Sequence, residues 1–417
     1  MNSSLTPSGL KKAMNLNITL GIGGALWFTL CSPQAIFNIF YKNHLGATSG
    51  QLGILLGLLQ LTAVFNIFSI WLYGSIDRKK PAWIAFQTVH RAFGLVLAYV
   101  AYRASQAGTF PAGIRIIFIT MPVSWILMNA SASGWWSWIA DLFPEKIRAR
   151  FFGRRSSVIS GFNIVWFFLS TVLLDVSRNS SMIFGTIFLV AAVFGILDVI
   201  LHIFMPEPTK EERPKLRAAT FMQPLKDRNF MTFCISIGVM LLSINVFAPF
   251  SAPYLTDPAK VGVPNTWIGI MFVLSQMTWL AVIPSWGLVM DRYGRKPAVI
   301  IGALFTVSWI GYFFVTSANY MYLLPVIALL AGLLAPAFWE GVSQMMLTLT
   351  PEKDRIGYVS WYLTITGVVS AAGSYAGGLL FDVFEPVQIE VSKNLTLGNF
   401  HIVLAISLAL IGVSVAI

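Results

Sequence analysis

An all-α integral membrane fold, with twelve transmembrane helices in two pseudo-symmetric six-helix bundles, is what this sequence predicts. Three observations lead there: apolar runs of membrane-spanning length, basic residues sorted to one side of those runs, and a second half that repeats the first. Of the 417 residues, 56% are hydrophobic and 11% charged, against about 25% charged in a soluble globular protein. Stretches of about 20 apolar residues recur almost end to end, each long enough to cross a bilayer.

The twelve expected helices cover 16–40, 50–74, 82–103, 114–140, 157–174, 181–204, 229–252, 266–290, 298–316, 320–349, 356–381 and 400–417. Lys11 and Lys12 ahead of the first run resemble the start of a secretory signal. That run is too long and has no clear small-residue cleavage site, so it reads as a retained helix. The last run stops at Ile417 without a charged flank, leaving either a longer native chain or an abrupt end.

Sorting the bases by the loops these helices create puts most on one side, among them Lys11, Lys12, Arg78, Lys79, Lys80, Lys146, Arg150, Arg154, Arg155, Lys296 and Lys353. The other side holds Lys42, Arg103, Arg115, Arg178, Lys260 and Lys393. The positive-inside rule then makes both termini cytoplasmic in a multi-pass protein of a cell membrane, the bacterial inner membrane or its equivalent. The net charge of +11 therefore sets orientation and implies no nucleic-acid partner. Cys31 and Cys234 fall inside expected helices, with no disulfide framework or metal-ligand spacing, and read as packing residues.

The halves match in register. Gly53, Gln60 and Pro81 recur as Gly269, Gln276 and Pro297 at one fixed offset, and Asp77 and Arg78 are answered by Asp291 and Arg292. Gly134, Pro144, Glu145, Lys146, Arg148 and Asp175 recur as Gly341, Pro351, Glu352, Lys353, Arg355 and Asp382 at another. Between the halves, a charged and proline-rich stretch reads as a cytoplasmic linker with a short surface helix near Phe221. The expected division is an N-terminal bundle 1–204, a linker 205–228 and a C-terminal bundle 229–417.

The turn "GLVMDRYGRKP" at 287–297 sets one acid against three bases, and "GSIDRKKP" at 74–81 nearly repeats it, two residues shorter and without the inner glycine. With Gly287, Asp291, Arg292, Gly294, Arg295 and Lys296 in place, the chain resembles the major facilitator superfamily over essentially its whole length. The resemblance implies two six-helix bundles around a central pathway. It also implies that each turn's aspartate meets the N-terminus of a helix in the opposite bundle, Asp77 near the start of the eleventh and Asp291 near the start of the fifth. Arg148 and Arg355 are then ion partners of a latch that closes the cytoplasmic ends and breaks on inward opening. The bland reading of the loop bases, Arg78, Arg292 and Arg295 included, is that they fix topology.

Ionisable groups inside spans are costly, about 2.5–3.5 kcal/mol near the midplane on insertion scales, and so each is a functional suspect. Gln87, His90, Arg91 and Gly94 form one face of the third helix, with anion contact by Arg91 set against a buried structural pair. Glu340 on the tenth helix has no copy in the repeat, where Ser133 aligns with it and Asn129 with Pro336. It is the expected proton carrier, with Trp339 and Gln344 shaping the adjacent solute site. The bland reading of Glu340 is a carboxylate permanently paired with a base such as Arg91 or held by hydrogen bonds.

Trp135, Trp136 and Trp138 read mainly as interface anchors, with Trp136 also a candidate cavity wall. Gln34, Asn38 and Asn245 lie on first and seventh helices, which the resemblance places along the pathway, and with Asn129 they are candidate solute contacts. Asp198 and His202 read as a local pair without a transport role.

A secondary transporter of a small organic solute is the resulting expectation, with a sugar or glycoside as the preferred cargo and a drug, an organic anion or a non-transporting receptor as alternatives. Nothing resembles a Walker sequence, a metal cluster or a catalytic triad, so neither enzyme nor cofactor is expected. The expected partners are solute, lipid bilayer and protons, and the expected functional unit is a monomer.

Overall fold

The computed structural model describes residues 7–76, 78–108, 110–143, 145–178, 180–207, 222–351, 355–392 and 395–416. Eleven of its helices are long and apolar enough to cross a membrane, and Asn399–Ser414 adds a shorter apolar one. We label them α1 (Ser8–His44), α2 (Ser49–Tyr73) and α3 (Lys79–Ala107), then α4 (Pro111–Leu142) and α5 (Glu145–Val176). Next come α6 (Ser181–Phe204), α7 (Arg228–Thr256), α8 (Asn265–Tyr293), α9 (Arg295–Phe314) and α10 (Tyr320–Leu349). The last two are α11 (Arg355–Val383) and α12 (Asn399–Ala416). Most exceed the expected runs because polar and basic end turns continue each helix past its apolar stretch. A two-stranded hairpin absent from the sequence reading, β1 (Ile389–Ser392) with β2 (Leu395–Leu397), precedes α12.

Helix starts follow local capping chemistry. Thr48 and Gln51 form a reciprocal capping box at α2, and the Asp227 carboxylate accepts the amides of Asn229 and Phe230 at α7. Glu207 does the same for α3, accepting from the amides of Lys79 and Lys80 at 2.6 and 3.0 Å. The α8–α9 turn reverses at Gly294, whose φ of +92° is a conformation that L side chains rarely adopt. That is why the charged turn needs its inner glycine. In the first-half copy, Asp77 lies outside the described residues, as do residues 208–221 of the linker.

Helices α1–α6 and α7–α12 pack mainly among themselves, and the two groups meet along α2–α11, α5–α8 and α1–α7. Glycine lets the α2–α11 backbones touch: a Cβ on Gly53 would lie 2.5 Å from the Ser374 carbonyl, and one on Gly378 2.5 Å from that of Ser49. Gly269, the repeat partner of Gly53, gives the same closeness on α8 against Thr171, beside the Phe167–Phe272 contact at 4.4 Å. Asn38 and Asn43 donate to the Pro249 and Pro253 carbonyls at 3.0 and 2.9 Å, tying α1 to α7. Pro253 has no N–H for the carbonyl one turn back, which leaves the Pro249 carbonyl for Asn38, while the Pro253 carbonyl accepts both Asn43 and the Asp257 amide.

Candidate functional site

We call the side bearing the α2–α3, α4–α5, α8–α9 and α10–α11 turns the basic end, and the opposite side the far end. At the far end two carboxylates bridge the bundles. Asp175, in the last turn of α5, accepts from the amides of Asn265 and Thr266 at 2.9 and 2.6 Å, and from both of their side chains. Asp382, in the last turn of α11, accepts from the amides of Ser49 and Gly50 at 3.0 and 2.8 Å. Each aspartate sits at the negative end of its own helix and is satisfied by the positive N-terminus of a helix in the other bundle. The sequence reading found this pair as a repeat and assigned it no role. The available signal was an acid in a helix's last turn, where its own dipole disfavours it.

The basic end is different. Asp291, Arg292 and Arg295 are exposed, and a Cβ added at Gly287, Gly153, Gly161 or Gly357 would meet nothing within 4 Å. Thus α5 and α8 touch at Thr171 and Gly269 yet border open space nearer the basic end. Asp291 makes no hydrogen bond or ion pair among the described residues, and the side chains of Glu145, Lys146 and Arg148 at the start of α5 lie outside them. Arg295 donates to Gln344 at 3.4 Å and to Thr348, within its own bundle. The side chains of Arg148, Arg355 and Trp136 lie outside the described residues. Arg78 is exposed.

Between the ends lies a band of amides and hydroxyls centred on an interruption of α2, where residues Thr62–Val64 form a 3-10 turn. Asn129 donates to the Thr62 hydroxyl at 2.8 Å and accepts from Asn66 at 3.1 Å. Gln60 donates to Asn245 at 2.8 Å and to Ser374 at 3.1 Å, spanning both bundles, while its own carbonyl oxygen is buried without a partner. Asn129 and Asn245 are therefore brought into one band, with Gln60, Thr62, Asn66 and Ser374 as members the sequence reading had not assigned to a solute. Gln34 is exposed at the break of α1. Asn38 is buried against α7 and Gln344 is engaged by Arg295, so neither joins the band by a hydrogen bond.

Glu340 is half-buried, not enclosed, and has no hydrogen-bond or ion partner among the described residues. Its stripe on α10 continues through Leu333 and Leu347, both exposed, and Trp339 beside it is 37% exposed. Phe338, Gly341 and Val342 on the same helix are buried, while Glu340 itself is only partly covered. Arg91, proposed as its partner, pairs elsewhere: Nη2 lies 3.9 Å from Asp198 on α6, and the guanidinium sits over Trp27 and Phe28. His90 is held by Ser124 at 2.7 Å, and Gln87 by Ser131 at 2.8 Å, so the whole stripe faces the N-terminal bundle interior. Trp138 is likewise internal, 1% exposed and donating to the Pro206 carbonyl, and does not anchor at the interface.

A cavity of about 260 Å³ sits between α1 and α5 of one bundle and α7–α10 of the other. Its wall is aromatic and apolar, with Phe167, Phe272, Trp309 and Tyr312, and carries Ser251 and Ser275. Among the described residues no group of three His, Cys, Asp or Glu could hold a metal ion.

Two helical bundles joined at one end around a mid-depth polar band define a multi-pass membrane protein of the two-bundle class. The Major Facilitator Superfamily profile matches residues 230–417. The solved nucleoside transporter NupG superposes with a TM-score of 0.68 at 15% identity, covering 96% of this chain and 98% of that one. A bacterial homologue of the lysosomal transporter Spinster, in an inward-facing unoccupied conformation, gives 0.66 at 14%, covering 100% and 96%. Multidrug resistance protein 1 of Bacillus subtilis (strain 168) is 29% identical over 157 residues, 36% of this chain and 39% of that protein, so the match spans about two-fifths of the relative's length. The second half of the chain thus matches the Major Facilitator Superfamily, and the whole chain shares the fold of these solved transporters. The two solved structures named here are of transporters.

Proposed function

We propose that this protein is a secondary transporter that carries a small organic solute across a cell membrane by alternating access, working as a monomer. The observation that carries the reading is the contrast between a far end sealed by two symmetric carboxylate caps and a basic end whose charged turn is exposed. With the basic end cytoplasmic, as the positive-inside rule requires, this is the inward-open arrangement. Asp77, Asp291, Arg148 and Arg355 then form the latch of the opposite state, made only when the cytoplasmic ends meet.

The solute site is the amide and hydroxyl band with Gln34, Asn129 and Asn245, at the depth where helices are interrupted. It offers neutral donors and acceptors, and Arg91 is engaged inside its own bundle. These features favour an uncharged, hydroxyl-rich cargo such as a sugar, glycoside or nucleoside over an organic anion. One observation favours a second reading: the aromatic cavity between the bundles suits an apolar, drug-like compound, and the Bacillus relative is named for multidrug resistance.

Purified protein in proteoliposomes, loaded with sugars, nucleosides or lipophilic cations, should show counterflow of one class. Absence of counterflow for every class, with binding retained, would make it a receptor instead of a carrier.

A further inference from the structure

We infer that Asp198, with His202 and Arg91, forms a proton-binding site inside the N-terminal bundle, and that this site couples transport to protons. The coupling half of the inference rests on the transporter reading above; the proton-binding half does not. Asp198 is the one carboxylate in the buried class among the described residues, at 7% exposure, and it lies two turns inside a membrane-spanning helix. Space for it is made by α1: a Cβ on Gly24 would collide with the Asp198 carboxylate, and one on Gly23 would meet the Phe194 carbonyl at 2.6 Å.

A buried carboxylate that stays ionised needs short charge-assisted hydrogen bonds of about 2.7–2.9 Å to repay its lost hydration. Asp198 does not have that arrangement. Arg91 Nη2 is 3.9 Å from Oδ2, His202 Nδ1 is 3.5 Å from Oδ1, and Oδ1 accepts no hydrogen bond. His202 Nδ1 lies 2.7 Å from the Asp198 backbone carbonyl, which it serves as donor. Two guanidinium nitrogens of Arg91, Nε and Nη1, are also buried without partners while its face rests on Trp27 and Phe28. This is the geometry of a carboxyl group carrying a proton beside a cation that has let go of it. Loss of that proton draws Arg91 toward Oδ2 and off the aromatic rings of α1.

The charged and titratable groups acting on Asp198 are Arg91 from α3, His202 from its own helix and Arg155 from α5; Lys80 at the start of α3 acts on His202, and His90 and the Cys31 thiol lie against Arg91. Arg155 connects the site to the open end. It is half-buried, donates to Asn17 at 2.9 Å, lies over Trp135, and belongs to the stretch of α5 where Gly153 borders open space. The readout reaches the pathway through α1: Trp27 and Phe28 lie about one turn before the Ser32–Gln34 break, and Asn38 beyond it holds α7. The proton enters from water and adds to a carboxylate oxygen, and no other bond is made or broken.

Infrared difference spectra of the purified, reconstituted protein test proton binding without any solute. Across roughly pH 5–8, the range over which coupling to a cellular pH gradient operates, the wild type should show a deuterium-sensitive carboxylic-acid band that titrates. The band should vanish in Asp198→Asn and persist in Glu340→Gln. A titrating band that survives in Asp198→Asn, or its absence from the wild type, overturns the inference. Should Asn at 198 prevent folding, His202→Gln and Arg91→Lys serve, and each should move the titration midpoint by about one pH unit or more. An unmoved midpoint in both also overturns it. In proteoliposomes Asp198→Asn should keep solute counterflow and lose accumulation driven by a pH difference. Counterflow missing from the wild type counts against the transporter reading, because the infrared band reports the site by itself.

Discussion

The far ends and the basic ends of the same helices behave oppositely, although they are built from copies of one sequence pattern. At the far end, α5 meets α8 and α2 meets α11 through glycine contacts and aspartate caps. At the basic end, the charged turn containing Asp291 is exposed, and Gly153 and Gly161 on α5 and Gly287 on α8 border open space. On the transporter reading proposed above, the chain carries an aspartate-to-helix-end device at both faces, and one set is made at the expense of the other. Exchange of one sealed face for the other is the physical content of alternating access.

The strongest way to break the comparison is to remove both far caps. Each carboxylate–amide hydrogen bond to a charged group contributes about 1.5–3 kcal/mol, so Asp175→Ala with Asp382→Ala should convert the population to the far-open arrangement. Cysteine labelling from the far side should then rise by a factor of ten or more, on the order of 1.4 kcal/mol per tenfold. Unchanged labelling would mean that the caps merely decorate a seal made by packing. The packing contribution is isolated by Gly53→Leu. Its side chain must push against the Ser374 carbonyl and the Gly378 backbone, an overpacking cost of roughly 1–3 kcal/mol. Spin labels on α2 and α11 should report separation at the far end only.

A smaller effect is expected at the turn. Gly294→Ala forces a side chain into a glycine conformation, costing about 1–3 kcal/mol in both arrangements, and should lower thermal stability with little change in which face is open. The smallest belongs to Asp291→Asn. With Asp291 exposed here, the substitution should leave this arrangement intact and weaken only the opposite one, by about 0.3–1 kcal/mol. Far-side labelling should fall by less than about fivefold. A rise would mean that Asp291 holds the basic end open.

Much of this architecture was legible because a spanning helix is a local object. Its backbone hydrogen bonds close within the segment, so length and hydropathy reveal it, and the twelve expected runs correspond to α1–α12. The repeat also located Asp175 with Asp382 and Gly53 with Gly269 before their contacts were known. Other parts depend on how the helices pack, for physical reasons. Glu340 was picked for its position along α10, yet exposure depends on which neighbours cover that face. Asp198 and His202 were read as an i, i+4 pair because helical spacing reveals neighbours on one helix only, while Arg91 arrives from α3. Asn38 and Asn245 look alike on paper, but one finds a proline-freed carbonyl and the other a glutamine.

By itself, then, the sequence determined the number of spans, the sidedness of the charge and the twofold repeat, since these depend on the solvent each segment must satisfy and on residues near one another in the chain. The tertiary structure alone decided which face is closed and which polar groups meet. Both faces carry the same kind of acid at the same kind of turn, so no local property separates them. Only the relative placement of two bundles, fixed by contacts between residues hundreds of positions apart such as Ser49 with Asp382, lets one set of caps form while the other stands open.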